Sequence, residues 1–273
     1  ENHKNSFDFL KKNFIEFVNN LPFYGLCLLN ISDINTKSII PKISRPIKTF
    51  GFDTDSDFIA FPKDLNNIPA IFDYKENDKI YEIQFNMPGE HNVLNCLAAI
   101  AVSRELGISI KSIQKSLKNF PGIKRRFEVL GSYKTKSKSF MWIDDYGHHP
   151  TEIKQVLRTI KEVWKEKNIT MIFQPHRYSR TAEHFNYFID VLKSVDNLIL
   201  MDIYSANEKT IDNISSDVIA SEIKKFNKNV LLINDHLEIA NYVNNNIKDN
   251  DILLTMGAGS IAKFINYYKD SIS

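Results

Sequence analysis

Four short stretches gather the residue types that handle protons, carboxylates and phosphates. They are Asp144-Asp145-Tyr146-Gly147-His148-His149, Gln174-Pro175-His176-Arg177-Tyr178-Ser179-Arg180-Thr181, Asp202-Ile203-Tyr204-Ser205-Ala206-Asn207-Glu208 and Gly257-Ala258-Gly259-Ser260. Arg177 and Arg180 stand three apart at the predicted start of a helix, where two guanidinium forks and free backbone N–H groups can hold a carboxylate or a phosphate. A bare Arg-x-x-Arg is usually a solvated surface pair, but His176, Tyr178 and Ser179 beside it, directly after an apolar run, favour a site. Asp144, Asp145, His148 and His149 include carboxylate and imidazole ligands for a divalent ion. Adjacent histidines rarely converge on one ion, however, and no further ligand is placed by spacing, so substrate positioning or proton handling is the preferred reading. Gly257 and Gly259 read as a tight turn rather than a dinucleotide loop, since they follow the last strand and no acidic partner stands about 20 residues on. Asp202 and Glu208 receive no role at this point.

Two more groups lie outside these loops. Arg125-Arg126-Phe127 is either a phosphate contact at a domain junction or a surface feature beside an apolar anchor. His91, Asn92 and Asn95 open a predicted helix, where Asn is either a simple cap or a contact to a nucleotide.

The elements that must position these residues are read from hydrophobic period. Phe7, Leu10, Phe14 and Val18 recur at helical spacing and predict an opening amphipathic helix. Apolar runs at Tyr24 to Leu29, Ile47 to Phe50, Phe58 to Phe61 and Tyr81 to Phe85 predict short strands of a mixed sheet, broken by Pro, Asn and Asp. Leu94, Leu97, Ala98, Ala101 and Val102 form one helical face that Gly107 closes. After a shorter helix around Ile113 and Leu117, Phe120-Pro121-Gly122 reads as the domain boundary. Beyond it, strands at Phe140 to Ile143, Thr170 to Phe173, Leu198 to Met201, Val230 to Ile233 and Ile252 to Met256 alternate with helices, which predicts a parallel, doubly wound sheet. Pro150 suits the first turn of a helix whose stripe is Ile153, Val156, Leu157, Ile160, Val163 and Trp164. Sheets of this kind bind ligands at the carboxyl ends of their strands, so one crevice collects all four loops.

Composition narrows the classes. Lys and Arg number 35 against 33 Asp and Glu, a net charge of +2 over 273 residues. That balance supplies no sequence-independent pull toward nucleic acid or a membrane surface, so neither is an expected partner. No apolar run reaches the length of about 20 residues that spans a bilayer, and the first residues read as neither a signal nor a transit peptide, which points to the cytoplasm. Cys27 and Cys96 sit in apolar contexts and read as buried free thiols.

Six strings, in order, resemble the Mur ligases of peptidoglycan synthesis, and within them the alanine-adding branch. They are Asn20-Leu21-Pro22-Phe23-Tyr24-Gly25, Pro88-Gly89-Glu90-His91-Asn92-Val93-Leu94-Asn95, Arg125-Arg126-Phe127, Asp144 through Glu152, Phe173 through Thr181 and Leu254-Thr255-Met256-Gly257-Ala258-Gly259. The resemblance covers nearly the whole chain. It implies an α/β protein in which residues 1–120 are the C-terminal portion of the central ATP-binding domain, with a mixed sheet, and residues 121–273 are a Rossmann-like, doubly wound C-terminal domain that binds the amino acid. The implied reaction joins L-alanine to UDP-N-acetylmuramate through an acyl phosphate, with ATP and Mg2+. By resemblance, His91, Asn92, Asn95, Arg126 and Asp145 belong to the ATP side. Tyr146, His148, His176, Arg177 and Arg180 belong to the alanine side: the arginines and His148 hold the carboxylate, Tyr146 shapes the space around a small side chain, and His176 supports them. Arg126, Asp145 and His148 form the implied catalytic set.

A relative that attaches whole tripeptide to UDP-N-acetylmuramate is the alternative enzyme within the family. The front of the chain departs from the family pattern. None of its nine glycines opens a phosphate loop with Lys-Ser or Lys-Thr. The chain is therefore expected to begin after the family's acidic-histidine metal motif, with Glu1-Asn2-His3 at or past its end and His3 not a ligand. On that expectation the UDP-sugar domain, the phosphate loop and the main Mg2+ ligands are missing, and the chain is inactive alone. It would then be a truncated ligase, one half of a split enzyme completed in trans by the missing N-terminal portion, or a non-catalytic amino-acid-binding module.

Overall fold

Alternation of apolar side chains builds the first sheet. The computed structural model describes residues 7–135, 138–226 and 229–272, and the chain divides into two units, Glu1–Pro121 and Gly122–Ser273. The first unit runs α1 (Phe7–Asn19), β1 (Cys27–Asn30), α2 (Ile34–Ile39), β2 (Ile47–Gly51), β3 (Phe58–Asp64), β4 (Ala70–Glu76), β5 (Lys79–Phe85), α3 (Glu90–Glu105) and α4 (Ile110–Lys118). Its strands lie in the order β1-β2-β3-β4-β5. The first three are parallel, and the last three antiparallel, so the sheet is mixed. In β4, Ala70, Phe72 and Tyr74 are buried while the residues between them are only half-buried, the period of two that a one-sided strand requires. α3 packs against β1, β2 and β3 through Val93, Cys96, Leu97, Ile100 and Ala101. Its far end is held by the Arg104 fork on Glu76, Nε to Oε1 at 2.7 Å and Nη2 to Oε2 at 2.9 Å. The expected opening helix is present as α1, yet of its apolar stripe only Val18 is buried.

The second unit carries β6 (Glu128–Lys134), β7 (Ser139–Asp145), α5 (Pro150–Val163), β8 (Ile169–Gln174), α6 (Tyr178–Glu183), α7 (Phe185–Leu192), β9 (Asn197–Leu200), α8 (Ser216–Lys224), β10 (Asn229–Leu232), α9 (His236–Asn246), β11 (Ile252–Gly257) and α10 (Ile261–Ile272). The strand order is β10-β9-β8-β11-β7-β6. Five strands are parallel, and β8 and β11 are buried along their whole length, as a sheet covered on both faces demands. α5, α7 and α8 pack side by side, while α9 packs on α10. Right-handed crossovers place these two groups on opposite faces, because the chain reverses direction across the sheet after β10. Phe140, Trp142, Ile172, Leu253, Phe264 and Tyr268 form the centre of one apolar core.

Two strands were not expected. β4 hides its alternation among Asp73, Lys75 and Glu76. β6 pairs antiparallel to β7 with a register shift between Val129 and Gly131, and a bulge of this kind breaks the period that would have announced it. The second sheet is thus parallel except at this edge. β6 matters for the site, because running antiparallel it begins where β7 ends and brings Arg125 to Phe127 to the carboxyl edge of the parallel strands.

Leu97 is fully buried at the centre of α3. Leu97→Ala should lower the stability of the first unit by about 2–5 kcal/mol, the range for a truncated core leucine, measured by chemical denaturation.

Candidate functional site

A buried polar chain ties together the strands that carry the site. The Trp142 indole N–H donates to Thr255 Oγ at 3.1 Å, and the Thr255 hydroxyl donates to Asp144 Oδ1 at 2.7 Å. Asp144 Oδ2 accepts from Arg125 Nε at 2.9 Å, and Arg125 Nη2 donates to the Gly257 carbonyl at 2.7 Å. Burial pushes the Asp144 carboxyl upward, against the pull of Arg125 and Thr255. Its neighbour Asp145 is also turned inward. One of its oxygens accepts from the Phe127 N–H at 2.7 Å and the other from the Gly147 N–H at 2.6 Å. Burial raises Asp145 to about 6 in spite of those two donors and Arg126. These bonds hold Arg125 at φ +59° and Phe127 at φ +46°, a left-handed backbone that costs a non-glycine residue about 1–2 kcal/mol.

The loop after β7 presents the next group. Pro150 takes the first turn of α5, and His149 caps it, with its ring accepting from the Thr151 N–H and Glu152 reaching back to the cap backbone. Glu152 Oε2 accepts from the N–H of His148 and of His149, at 2.9 and 3.1 Å. Burial pushes this carboxyl up, but the two N–H donors with His148 and Arg126 outweigh it and hold Glu152 below its ordinary value. The Tyr146 ring lies beneath two guanidinium groups, 5.3 Å from Arg125 and 5.4 Å from Arg126. It meets the His148 ring edge-on at 5.4 Å. His148 Nδ1 lies 3.1 Å from the Tyr146 carbonyl, so Nδ1 carries the proton and Nε2 bears the lone pair. Burial first, then Arg180 and Arg126, keep the ring below the ordinary imidazole value.

The loop after β8 completes the cluster. The His176 ring is 5.5 Å from His148 and stacks on Tyr204 at 5.4 Å. Arg180 Nη1 donates to the His176 carbonyl at 3.1 Å and lies 3.3 Å from its Nδ1. Burial and then the charges of His148, Arg180 and Arg177 drive His176 down to about 4. Arg177, at φ +73°, places Nη1 3.8 Å from Glu208 Oε1. Glu208 also accepts from the Ser179 N–H at 3.0 Å and the Ser179 hydroxyl at 2.7 Å. Glu208 therefore engages the Ser179 N–H at this helix start, and Arg177 and Arg180 supply the guanidinium groups beside it.

Tyr146, His148, His176, Arg177 and Arg180 thus stand together, and Arg126 and Asp145 adjoin them. His91, Asn92 and Asn95 belong to the first unit, at the start of α3. Asn92 is not the helix cap: Gly89 holds that position, and the Asn92 amide donates to the Pro88 carbonyl at 2.8 Å. His91 Nδ1 is buried without a hydrogen-bond partner, and burial lowers its pKa. Asn95 is exposed. Asp202 is exposed and uses its backbone N–H on Asn234. The sequence reading passed over Gln174, whose Oε1 accepts from the Ile261 N–H at 2.9 Å and whose Nε2 donates to Ser260 at 3.0 Å. Its position at the end of a fully apolar strand was the available signal. It also passed over Glu152, which the S/T-like cap spacing His149 to Glu152 announces, and His184, 3.1 Å from His149 through their Nε2 atoms.

Two outcomes follow from this geometry. A methyl group at Gly259 would lie 2.5 Å from Gln174 Oε1 and 2.7 Å from Tyr204 Cβ, so Gly259→Ala should displace the Tyr204 ring that stacks on His176, visible as shifted His176 ring resonances. His176 falls to about 4 from an ordinary 6.5, so between those values the unfolded chain binds the proton first and stability declines as pH drops. His176→Asn should flatten that part of the stability profile in thermal denaturation.

Comparison with known proteins fits this arrangement. Residues 1–103 match the Mur ligase middle domain, and residues 125–259 match the Mur ligase glutamate ligase domain. The UDP-N-acetylmuramate–L-alanine ligase of Vesicomyosocius okutanii subsp. Calyptogena okutanii is 40% identical over 262 residues, covering 95% of this chain and 56% of that protein. The enzyme of the same name from Wigglesworthia glossinidia brevipalpis is 40% identical over 269 residues, covering 96% and 57%. The crystal structure of UDP-N-acetylmuramate-alanine ligase from Thermotoga maritima superposes with a TM-score of 0.71 at 26% identity, covering 99% of this chain and 57% of that one. The chain spans a little over half the length of the curated relatives it matches. No helix among the described residues is long and apolar enough to cross a membrane. Two domain matches in family order, joined by relatives of 40% identity along nearly all of its length, establish that this chain belongs to the Mur ligase family.

Proposed function

We propose that this chain contributes the alanine pocket and part of the nucleotide side of an ATP-dependent ligase that joins L-alanine to UDP-N-acetylmuramate in the cytoplasm. The observation that carries the reading is the convergence of Arg180, Arg177, His148, His176 and Tyr146 at the ends of β7 and β8, in a chain whose 40% identical relatives bear that ligase's name. Two guanidinium groups suit the carboxylate of a free amino acid. In this reading the Tyr146 ring, held under Arg125 and Arg126, shapes the space around a small side chain.

In the proposed reaction a muramate carboxylate oxygen attacks the γ-phosphorus of ATP and releases ADP. The alanine ammonium first loses one proton; the free amine then attacks the acyl phosphate carbon, the C–O bond to phosphate breaks with phosphate leaving, and the nitrogen gives up its second proton. His148, neutral with its lone pair on Nε2, is the proposed acceptor of the first of these protons. Arg126 neutralises charge developing on the phosphates, and Asp145 holds the backbone directly after Arg126 and directly after Tyr146 in place. His91, Asn92 and Asn95 are the proposed contacts to ATP. Among the described residues no group of three or more His, Cys, Asp or Glu side chains converges to hold a metal, so no step is assigned here to Mg2+ on this chain.

Calorimetric titration with L-alanine tests the pocket. Binding by the native chain, weakened about 10- to 100-fold in Arg180→Met, is the expected result for loss of a charged hydrogen bond. Turnover with ATP, Mg2+, UDP-N-acetylmuramate and L-alanine is expected of a protein of the relatives' full length. An inactive full-length protein whose chain binds alanine would leave a binding module, while absence of alanine binding would end the reading.

A further inference from the structure

His149 and His184 are 35 residues apart, but their Nε2 atoms lie 3.1 Å from each other and their rings meet at 4.5 Å between centroids. The ends they join are the two halves of the cluster described above. His149 follows His148 at the cap of α5, and the His184 N–H donates to the Arg180 carbonyl at 3.1 Å.

We infer that His184 is a positioning residue: its hydrogen bond with His149 latches the loop bearing Tyr146 and His148 to the helix bearing Arg180. The functional part of the inference rests on the alanine-pocket reading. Proton placement is determined by the neighbours. His149 Nδ1 accepts from the Thr151 N–H at 3.2 Å, so in a neutral ring the proton is on Nε2. That proton points at His184 Nε2, which must bear a lone pair, and the His184 proton is on Nδ1. Only this pair of tautomers satisfies the cap and the latch together.

One added proton breaks the arrangement. On His149 Nδ1 it faces the Thr151 N–H, donor to donor, and the α5 cap is lost. On His184 Nε2 it faces the His149 Nε2–H, and the latch is lost. Cap and latch therefore coexist only while both rings are neutral. The charged and titratable groups around His149 are Glu152 on α5, Arg180 on α6, and the rings of His148 and His184. Glu152 alone favours the proton, while burial and the other three oppose it, so the neutral state is the favoured one near pH 7.

The test is nitrogen NMR of the full chain with labelled histidine and arginine side chains, from pH 8 to pH 5. The expected result is Nε2–H at His149 and Nδ1–H at His184 at pH 8, with this tautomer pair lost once His149 gains a proton. His184→Leu should shift the His148 ring and Arg180 Nε signals at pH 8 and weaken L-alanine binding about tenfold. His184→Gln offers an acceptor that does not titrate, so it should restore both signals and the affinity, and should also lessen the loss of affinity on acidification. An Nδ1–H tautomer at His149, or unmoved His148 and Arg180 signals in His184→Leu, would each overturn the latch. If the native chain binds no alanine while the coupled tautomers and the His148 and Arg180 shifts are seen, the latch stands and the alanine reading fails.

Discussion

The pairing of Arg125 with Asp144 is the interaction on which the site's architecture hangs. It lies under the carboxyl edge of the sheet, with Asp144 almost fully buried, and it links the segment before β6 to the ends of β7 and β11. A buried ion pair adds little net stability over an apolar replacement, whereas removing one partner costs about 3–5 kcal/mol because the other charge is stranded. Such a pair acts as a geometric constraint more than as an adhesive. Here it brings Arg125 over the Tyr146 ring and places Arg126 beside it, and Thr255 and Trp142 extend it into the core. The left-handed backbone at Arg125 and Phe127 is tolerated because Glu128 and Asp145 each accept one of its N–H groups.

From that anchor outward, the chain's own carboxylates saturate its backbone donors. Asp145 takes the N–H of Phe127 and Gly147, Glu152 those of His148 and His149, and Glu208 that of Ser179. A loop cluster rich in N–H groups at helix starts would otherwise bind anions without discrimination. With those donors occupied, the long, planar groups of Arg126, Arg177 and Arg180 carry positive charge at the edge of the cluster. The same cations, with burial, depress His148 and His176. Imidazoles held neutral beside guanidinium groups are the combination that a carboxylate-bearing nucleophile needs, since one end of the ligand requires fixed charge and the other a proton acceptor.

Much of this was legible in the sequence, for identifiable reasons. The parallel strands of the second unit announced themselves because burial on both faces makes them continuous apolar runs, and the rule that ligands sit at the carboxyl ends of such strands then gathered the loops without further information. His148, His176, Arg177 and Arg180 were recoverable in that way. β4 and β6 were missed because one interleaves charged residues with its buried ones and the other is bulged at Gly131. The backbone partners of Asp145 and Glu152 were not legible either. A sequence shows that a carboxylate is available, and only the fold shows that its oxygens are already committed to backbone N–H groups.

Commitment of this kind also explains why the residues that face a ligand are few while those that shape the site are many. Gln174 illustrates it: the side chain bridges Ile261 and Ser260, and it approaches Gly259 so closely that no side chain fits there. Gly259 is therefore crowded by the Gln174 side chain and by Tyr204, while Gly257 combines φ +142° with the Gln174 backbone carbonyl 2.6 Å from where a methyl would lie. Spacing already favoured the tight turn, since no acidic partner follows at the distance a dinucleotide loop requires. The atoms above the two glycines, from Gln174 and Tyr204, supply the steric reason for it.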